Sequence, residues 1–460
     1  MTPAGEPRSV ILARGRALRE RFPRSSLATL AERAPGYDPV ERLEWQGTSR
    51  VEELLSLRYS RMLANPMSFY RGTALLMAED LARGPSTTLE VQICGDAHLS
   101  NFNLFSTPER RIVFDVDDFD ETDVGPFEWD VKRLVTSLVL ASEHLGHGPR
   151  QQERIAVAAA REYRHSIRRF ATLTKMGIWY ASLDVNAVVH DLGGFFTDNA
   201  LRRVDRVVKL ANHKSNTKNL RRIVTYEGGT PRFASAPPLL VPLRDLSGRS
   251  YLLAEEIEEI IVGYGRTLSS DRQVLLSQYS PVDAARKVVG VGSVGTECYA
   301  VLLTGRDAHD PLLLQVKQAT ASVIATARGV TSDVEAGERV VNGQRLMQAA
   351  SDALLGWFSL DHPSTPRSFY LRQLYDDKAS IDIEHLDETL LVTYGRICAW
   401  VLARAHARGG RGADIAGYLG KSDVADGALT SFALAYRDRT MSDFRALGCA
   451  RDEGRISVMP

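Results

Sequence analysis

The sequence predicts a mixed α+β protein organised in two or three lobes. Three observations carry that expectation. The chain has 460 residues, more than a single hydrophobic core ordinarily serves. Short runs rich in β-formers cluster in two places, residues 91–114 and 287–316. Long stretches elsewhere place apolar residues at helical spacing, above all TYGRICAWVLARAHAR at 393–408.

Composition narrows the function. Lys plus Arg and Asp plus Glu both number 57, so formal net charge is zero. No global field recruits nucleic acid or an anionic membrane, and neither is expected as a partner. Cys94, Cys298, Cys398 and Cys449 are far apart and form no metal or redox motif. Buried free thiols in a reducing, cytoplasmic compartment are expected. The basic N-terminus reads as an amphipathic helix rather than a signal peptide, and no apolar run approaches a membrane span.

In chain order, residues 51–83 read as two helices. Arg61 and Arg71 lie there and are assigned to surface or salt-bridge roles, with a phosphate contact as the alternative. VQIC, residues 91–94, reads as a short buried strand that delivers GDAHLSNF, 95–102. Within it an acid and an amide, Asp96 and Asn101, stand five apart. Residues 102–105 and 111–114 read as a hairpin joined by Ser106-Thr107-Pro108-Glu109. The acidic run IVFDVDDFDETDVGPFEWD follows at 112–130. It is not a calcium loop of the EF-hand type, because Gly at the sixth position and Glu at the twelfth are missing. An acid, an amide and a further carboxylate are the inventory that phosphoryl transfer requires. One carboxylate orients or deprotonates the acceptor, and the amide and second carboxylate hold Mg²⁺ on the phosphates. Residues 130–145 and 151–173 read as helices. A basic stretch at 202–222 reads as a solvated helix face.

The second informative segment starts at Lys287. Gly290, Gly292 and Gly295 form G-x-G-x-x-G, a weak signal alone because two unrelated folds use it. A dinucleotide site needs a helix after the glycines. Here 298–303 (CYAVLL) is rich in β-formers and soon stopped by Gly305, giving strand, loop, strand. Another strand, 312–316, ends at Lys317. Glycines closing a hairpin over phosphates, with a lysine on the next strand, are the protein-kinase arrangement. The loop, including Ser293, is therefore expected to cover the phosphates and Lys317 to neutralise them. Residues 332–350 read as a helix, with Ser332 as cap and Glu335 at the capping-box position. Residues 369–374 read as a strand leading into the acidic YDDK.

The segment 95–130 resembles the aminoglycoside-phosphotransferase branch of the protein-kinase-like superfamily, with Cys94 where that branch has a leading His. The step of twelve from Asp118 to Asp130, with Gly125 between and Trp129 before Asp130, matches that branch. The resemblance implies a metal-binding role for Asn101 and Asp118, with Asp115 and Asp117 as rivals. It implies a supporting role for His98 and a bracing role for Asp130 beneath the catalytic loop. It also implies a carboxylate partner for Lys317 on the following helix, Glu338 in preference to Glu335. The strand ending at Gln373 and Leu374 becomes the hinge whose backbone holds adenine. The order of parts is that of a circular permutation cut before the catalytic loop. The same order, with FYRG, GDAHLSNF, DFDE, DVKRL, QVK and LARAHA, resembles bacterial domain-of-unknown-function family 2252 from about Trp45 onward.

The resemblance thus implies a permuted kinase-like two-lobe fold. It has an N-terminal helical extension (1–90), a catalytic-loop half with acceptor-side helices (91–281), a small β-rich nucleotide lobe (282–374) and C-terminal helices (375–460). The implied activity is Mg-ATP-dependent phosphotransfer with Asp96 as catalytic carboxylate. ATP and Mg²⁺ are the cofactors, and a small molecule or a protein is the acceptor. The alternatives are nucleotidyl transfer on the same fold and a nucleotide-binding pseudokinase acting through a partner. A nicotinamide oxidoreductase is disfavoured by the strand after the glycines.

Overall fold

The chain is described by a computed structural model covering residues 5–184, 223–246, 254–290, 292, 294–360, 367–374 and 380–459. The expected basic face at 202–222, Ser293 and the YDDK stretch lie outside the described residues. The architecture is mixed α+β. Strands β1 (Glu90–Ile93) and β4 (Asp123–Pro126) pair, as do β2 (Phe102–Ser106) with β3 (Ile112–Val116) and β5 (Val224–Glu227) with β6 (Thr230–Phe233). The remaining strands are β7 (Leu240–Pro242), β8 (Ser280–Lys287), β9 (Cys298–Thr304), β10 (Pro311–Ala319), β11 (Gly356–Leu360) and β12 (Arg367–Gln373). They form one antiparallel six-stranded sheet in the order β11-β12-β10-β9-β8-β7.

Alternation along the strands gives this sheet two unlike faces. Tyr299, Val301, Leu303, Leu314, Val316, Phe369 and Leu371 pack against Ile257, Ile260, Ile261 and Tyr264 of the helix Ala254–Gly265. The residues between them point the other way. Ala300, Leu302 and Leu313 form a smaller apolar cluster there, beside Gln315, Lys317, Tyr370 and Arg372. The ladder sets Lys317 opposite Tyr370 and Gln315 opposite Arg372. One face is thus closed by a helix, and the other presents a cationic row. The sheet is larger than expected: β7 and the helix Ala254–Gly265, assigned to an acceptor-side helical region, both complete it.

The largest core lies in the helical part, where Phe127–His144, Pro149–Phe170, Glu388–His406 and Val424–Asp452 pack around β1. Local signals explain their ends. Pro149 occupies the first turn, where no backbone donor is lost. The Asp387 side chain accepts from Leu390 N at 2.9 Å. Phe127–His144 is buried around most of its circumference, as a helix in the middle of a core must be.

Three expectations are corrected. Residues 51–83 hold three α-helices, Leu55–Met62, Pro66–Arg71 and Ala74–Arg83, after a short 3-10 helix at Glu52–Leu54. Pro66 starts the second, whose Asn65 side chain accepts from Ser68 N at 2.7 Å. The helix expected from Ser332 begins at Ala336, and Glu335 caps nothing but accepts from Ser359 Oγ. Cys449 is exposed, while Cys94, Cys298 and Cys398 are buried. Among the described residues no helix is long and apolar enough to cross a membrane.

Candidate functional site

The strand β1 ends just before Gly95, whose φ is +78°. A Cβ there would stand 2.1 Å from Glu121 O, so only glycine lets the acidic segment close against this loop. The loop is held from below. Asp130 accepts from Cys94 N at 2.7 Å and from Gly95 N at 3.0 Å. His406 Nε2 lies 3.2 Å from Asp130 Oδ2, and His406 Nδ1 lies 2.7 Å from Tyr163 Oη. Asp96 follows, its Oδ1 accepting from Arg133 Nε at 2.8 Å. Arg133 also donates to Tyr70 O at 2.6 Å and stacks over the Tyr70 ring. Asn101 Nδ2 closes the loop on Asp96 O at 2.8 Å. His98 is buried, and burial lowers its pKa to about 4. It is neutral at neutral pH, with Nε2 at 3.7 Å from Asp96 Oδ2.

The acidic run divides sharply. Asp115 lies inside β3, 1% exposed, and accepts from Arg404 Nη2 at 2.6 Å, Val116 N at 2.9 Å and Ala349 N at 2.8 Å. It lines neither of the two cavities described below. Its rivalry for the metal is corrected: it is an internal counter-charge for Arg404. Asp117, one residue past β3, accepts from Asn103 Nδ2 at 3.0 Å. Asp118 turns toward the cavities, with Oδ1 accepting from Asp120 N at 3.3 Å.

Asp120 was not singled out by the sequence. It forms the ion pair with Lys317 Nζ and accepts from Tyr370 Oη at 2.7 Å. Burial opposes the Lys317 charge, but Asp120 and its neighbours hold the pKa well above its ordinary value. The expected partner on the next helix is therefore corrected. Glu338 accepts from Asn342 Nδ2 at 3.3 Å on its own helix. At the expected hinge, Gln373 N donates to Asp352 Oδ2 at 2.6 Å and Leu374 N to Leu313 O at 2.9 Å. Both backbone N–H groups there are committed within the protein.

The glycine loop is tied to the N-terminal helices. Arg50 Nη1 donates to Gly292 O at 2.9 Å and Val294 O at 2.6 Å, and Arg61 Nη1 donates to Gly290 O. Val51 N donates to Gly295 O at 2.7 Å. Gly295 has φ +90°, and a Cβ there would press on Arg50 Cβ at 3.0 Å. The loop carbonyls thus face the arginines.

Two cavities open between these parts. The larger, about 450 Å³, is lined by Lys317, Gln315, Arg372, Gln373, Leu374 and Asp117, among others. The smaller, about 330 Å³, is lined by Asp96, His98, Trp45, Arg50, Asp120 and Glu121, among others. Four residues line both: Arg71, Asn101, Asp118 and Gly290. Asp118 and Lys317, remote in sequence, share the larger cavity. Among the described residues no three His, Cys, Asp or Glu side chains form a metal cluster. Asn101 and Asp118 bring hard oxygen atoms to the wall that both cavities share, donors of the kind that could hold Mg²⁺.

Glu121 offers a test of the electrostatics. Desolvation raises its pKa to about 7, opposed by the hydrogen bond from Val323 N and by Arg339, and reinforced by Asp120 and Asp96. A carboxyl whose folded pKa lies above its unfolded value contributes stability fully at acid pH. That contribution is lost as pH rises through the folded value. Glu121→Gln should therefore gain on the wild type between pH 5 and pH 8, by on the order of 1 kcal/mol at the upper end. Urea melts at several pH values measure this, and a gap that does not widen with pH refutes the assignment.

Comparison with known proteins places the chain. The family model described as "Uncharacterized protein conserved in bacteria (DUF2252)" matches residues 50–450, and the chain belongs to that family. No curated protein and no solved structure matches it.

Proposed function

We propose that this member of the DUF2252 family transfers the γ-phosphoryl group of Mg-ATP to an acceptor hydroxyl, on a permuted kinase-like plan. One observation supports the reading above the others. Two cavities meet at Arg71, Asn101, Asp118 and Gly290, with Lys317 only on the larger and Asp96 only on the smaller. The nucleotide occupies the larger cavity, its phosphates directed to Lys317 and the glycine loop. The acceptor enters the smaller one. Asp96 takes the proton of the acceptor hydroxyl, whose oxygen bonds to the γ-phosphorus. The bond from that phosphorus to the β–γ bridging oxygen breaks, and ADP leaves. Arg133 fixes the Asp96 carboxylate, so its second oxygen is aimed rather than rotating. Asn101 and Asp118 would hold Mg²⁺, which would neutralise phosphate charge. Because Asp120 already holds Lys317, nucleotide binding has to share or displace that pair.

The pure protein incubated with ATP labelled at the γ or the α position, alone and with a small-molecule extract, tests the reaction. Label passing from γ to an acceptor or to water supports it, whereas transfer from α alone replaces it with nucleotidyl transfer. Binding is tested separately. A ligand that binds only the folded state at a hundred times its Kd adds about 2.7 kcal/mol. Mg-ATP should accordingly raise Tm by a few degrees and NAD should not. A shift with NAD alone would transfer the glycine loop to dinucleotide chemistry.

A further inference from the structure

Arg71 stands where the two cavities meet, and its guanidinium is uncommitted. It closes the helix Pro66–Arg71, in which Phe69 and Tyr70 are anchored in the core. The backbone is therefore fixed, and Arg71 O lies 3.0 Å from where a Cβ on Gly292 would be. The arginines around it are all occupied. Arg50 and Arg61 hold the glycine loop, Arg133 holds Asp96, and Arg372 donates to Gln315 Oε1 at 3.1 Å and Asp117 O at 3.0 Å. Arg71 makes no hydrogen bond or ion pair among the described residues, and its Nε is buried without a partner. Asp96 and Asp118 act on it through space without bonding to it. Leaving a half-buried guanidinium unpaired is unfavourable unless a ligand completes it.

We propose that Arg71 binds the phosphoryl group in transit: the terminal phosphate of a nucleoside triphosphate before transfer. The proposal rests on the phosphotransfer reading above and adds to it a residue supplied by the N-terminal helices. Three features lead there. Arg71 lines both cavities, so it can follow a group that passes from one to the other. The planar fork of a guanidinium matches two phosphate oxygens at once, whereas the Lys317 ammonium, which lines only the larger cavity, acts as a point charge. Its neighbours Asn101 and Asp118 are the hard oxygen ligands suited to a metal ion on the same phosphate. The shared wall thereby offers a cation directly, and an amide and a carboxylate by way of a metal ion, to one dianionic group.

Isothermal titration with Mg-ATP, Mg-ADP and adenosine, on the wild type, Arg71→Ala, Arg71→Gln and Arg71→Lys, tests this. Charge-assisted bidentate contacts of this kind are strong enough that Arg71→Ala should lose at least about tenfold in Mg-ATP affinity. Its Mg-ADP and adenosine affinities should change less than about twofold, so the preference for the triphosphate disappears. Arg71→Gln should behave like Arg71→Ala, and it keeps the test available if the shorter side chain unfolds the protein. Arg71→Lys should recover part of the loss, a charge without the fork. A variant that keeps the wild-type preference for Mg-ATP over Mg-ADP overturns the proposal and leaves the nucleotide reading standing. So does a wild type that binds the two equally. A wild type that binds no nucleotide overturns both.

Discussion

Asp96→Asn is expected to reduce phosphoryl transfer from Mg-ATP by at least about a hundredfold, the usual scale for a positioned acid–base group. The substitution is nearly isosteric. The asparagine oxygen can still accept from Arg133 Nε, which now bonds Asp96 Oδ1 at 2.8 Å, and Asn101 continues to close the loop on the backbone carbonyl. The fold should therefore persist, with a melting temperature lowered because the buried Arg133 guanidinium loses its counter-charge. Asp96 lines only the smaller cavity, while Gln315 and Lys317 of β10 and Arg372 and Gln373 of β12 lie on the larger. Mg-ATP affinity should consequently change little. The split between lost turnover and retained binding is the diagnostic result, measured by γ-label release and by titration on one preparation. Equal loss of both would make Asp96 a nucleotide-binding group. Retained turnover would remove it from the chemistry.

What could be read from the sequence follows from the range of the interactions involved. The hairpin β2–β3 was legible because alternation and a Thr-Pro turn are local. So was the strand carrying Lys317, since four of the five residues before it are apolar. The sidedness of the sheet follows from the same two-residue period. The Lys317 partner was not legible. The kinase-like resemblance implied Glu338, but the pair forms with Asp120 across 197 positions, and nothing in local periodicity encodes that closure. Arg71 was assigned away from phosphate for the same reason: a lone arginine after two aromatics looks like any surface cation until its neighbours prove occupied. The partners of the hinge amides were hidden differently. Asp352 stands in an unpatterned loop, and its bond to Gln373 N appears only when β12 is placed beside it.

The choice within the acidic run turns on where β3 ends, which composition leaves open by two residues. The strand ends at Val116, so Asp115 is inside and Asp118 is beyond it. Asp115→Ala is accordingly expected to be a folding mutation. It removes the counter-charge of Arg404, itself 1% exposed, and strands Ala349 N and Val116 N. Breaking a buried ion pair from one side costs about 3–5 kcal/mol, because the remaining charge stays out of water. Denaturant melts should show that loss without any nucleotide present. Asp118→Asn should do the reverse. Its carboxylate is half-buried and, among the described residues, bonds only a neighbouring backbone amide, at 3.3 Å, so the melt should hardly move. The Mg-ATP-induced stabilisation should fall away instead, since one of two hard ligands has become neutral. The two variants therefore exchange their effects between one observable and the other. Should Asp115→Ala leave the melt intact while abolishing Mg-ATP binding, and Asp118→Asn leave that binding intact, the metal would belong to Asp115 and the division at Val116 would be wrong.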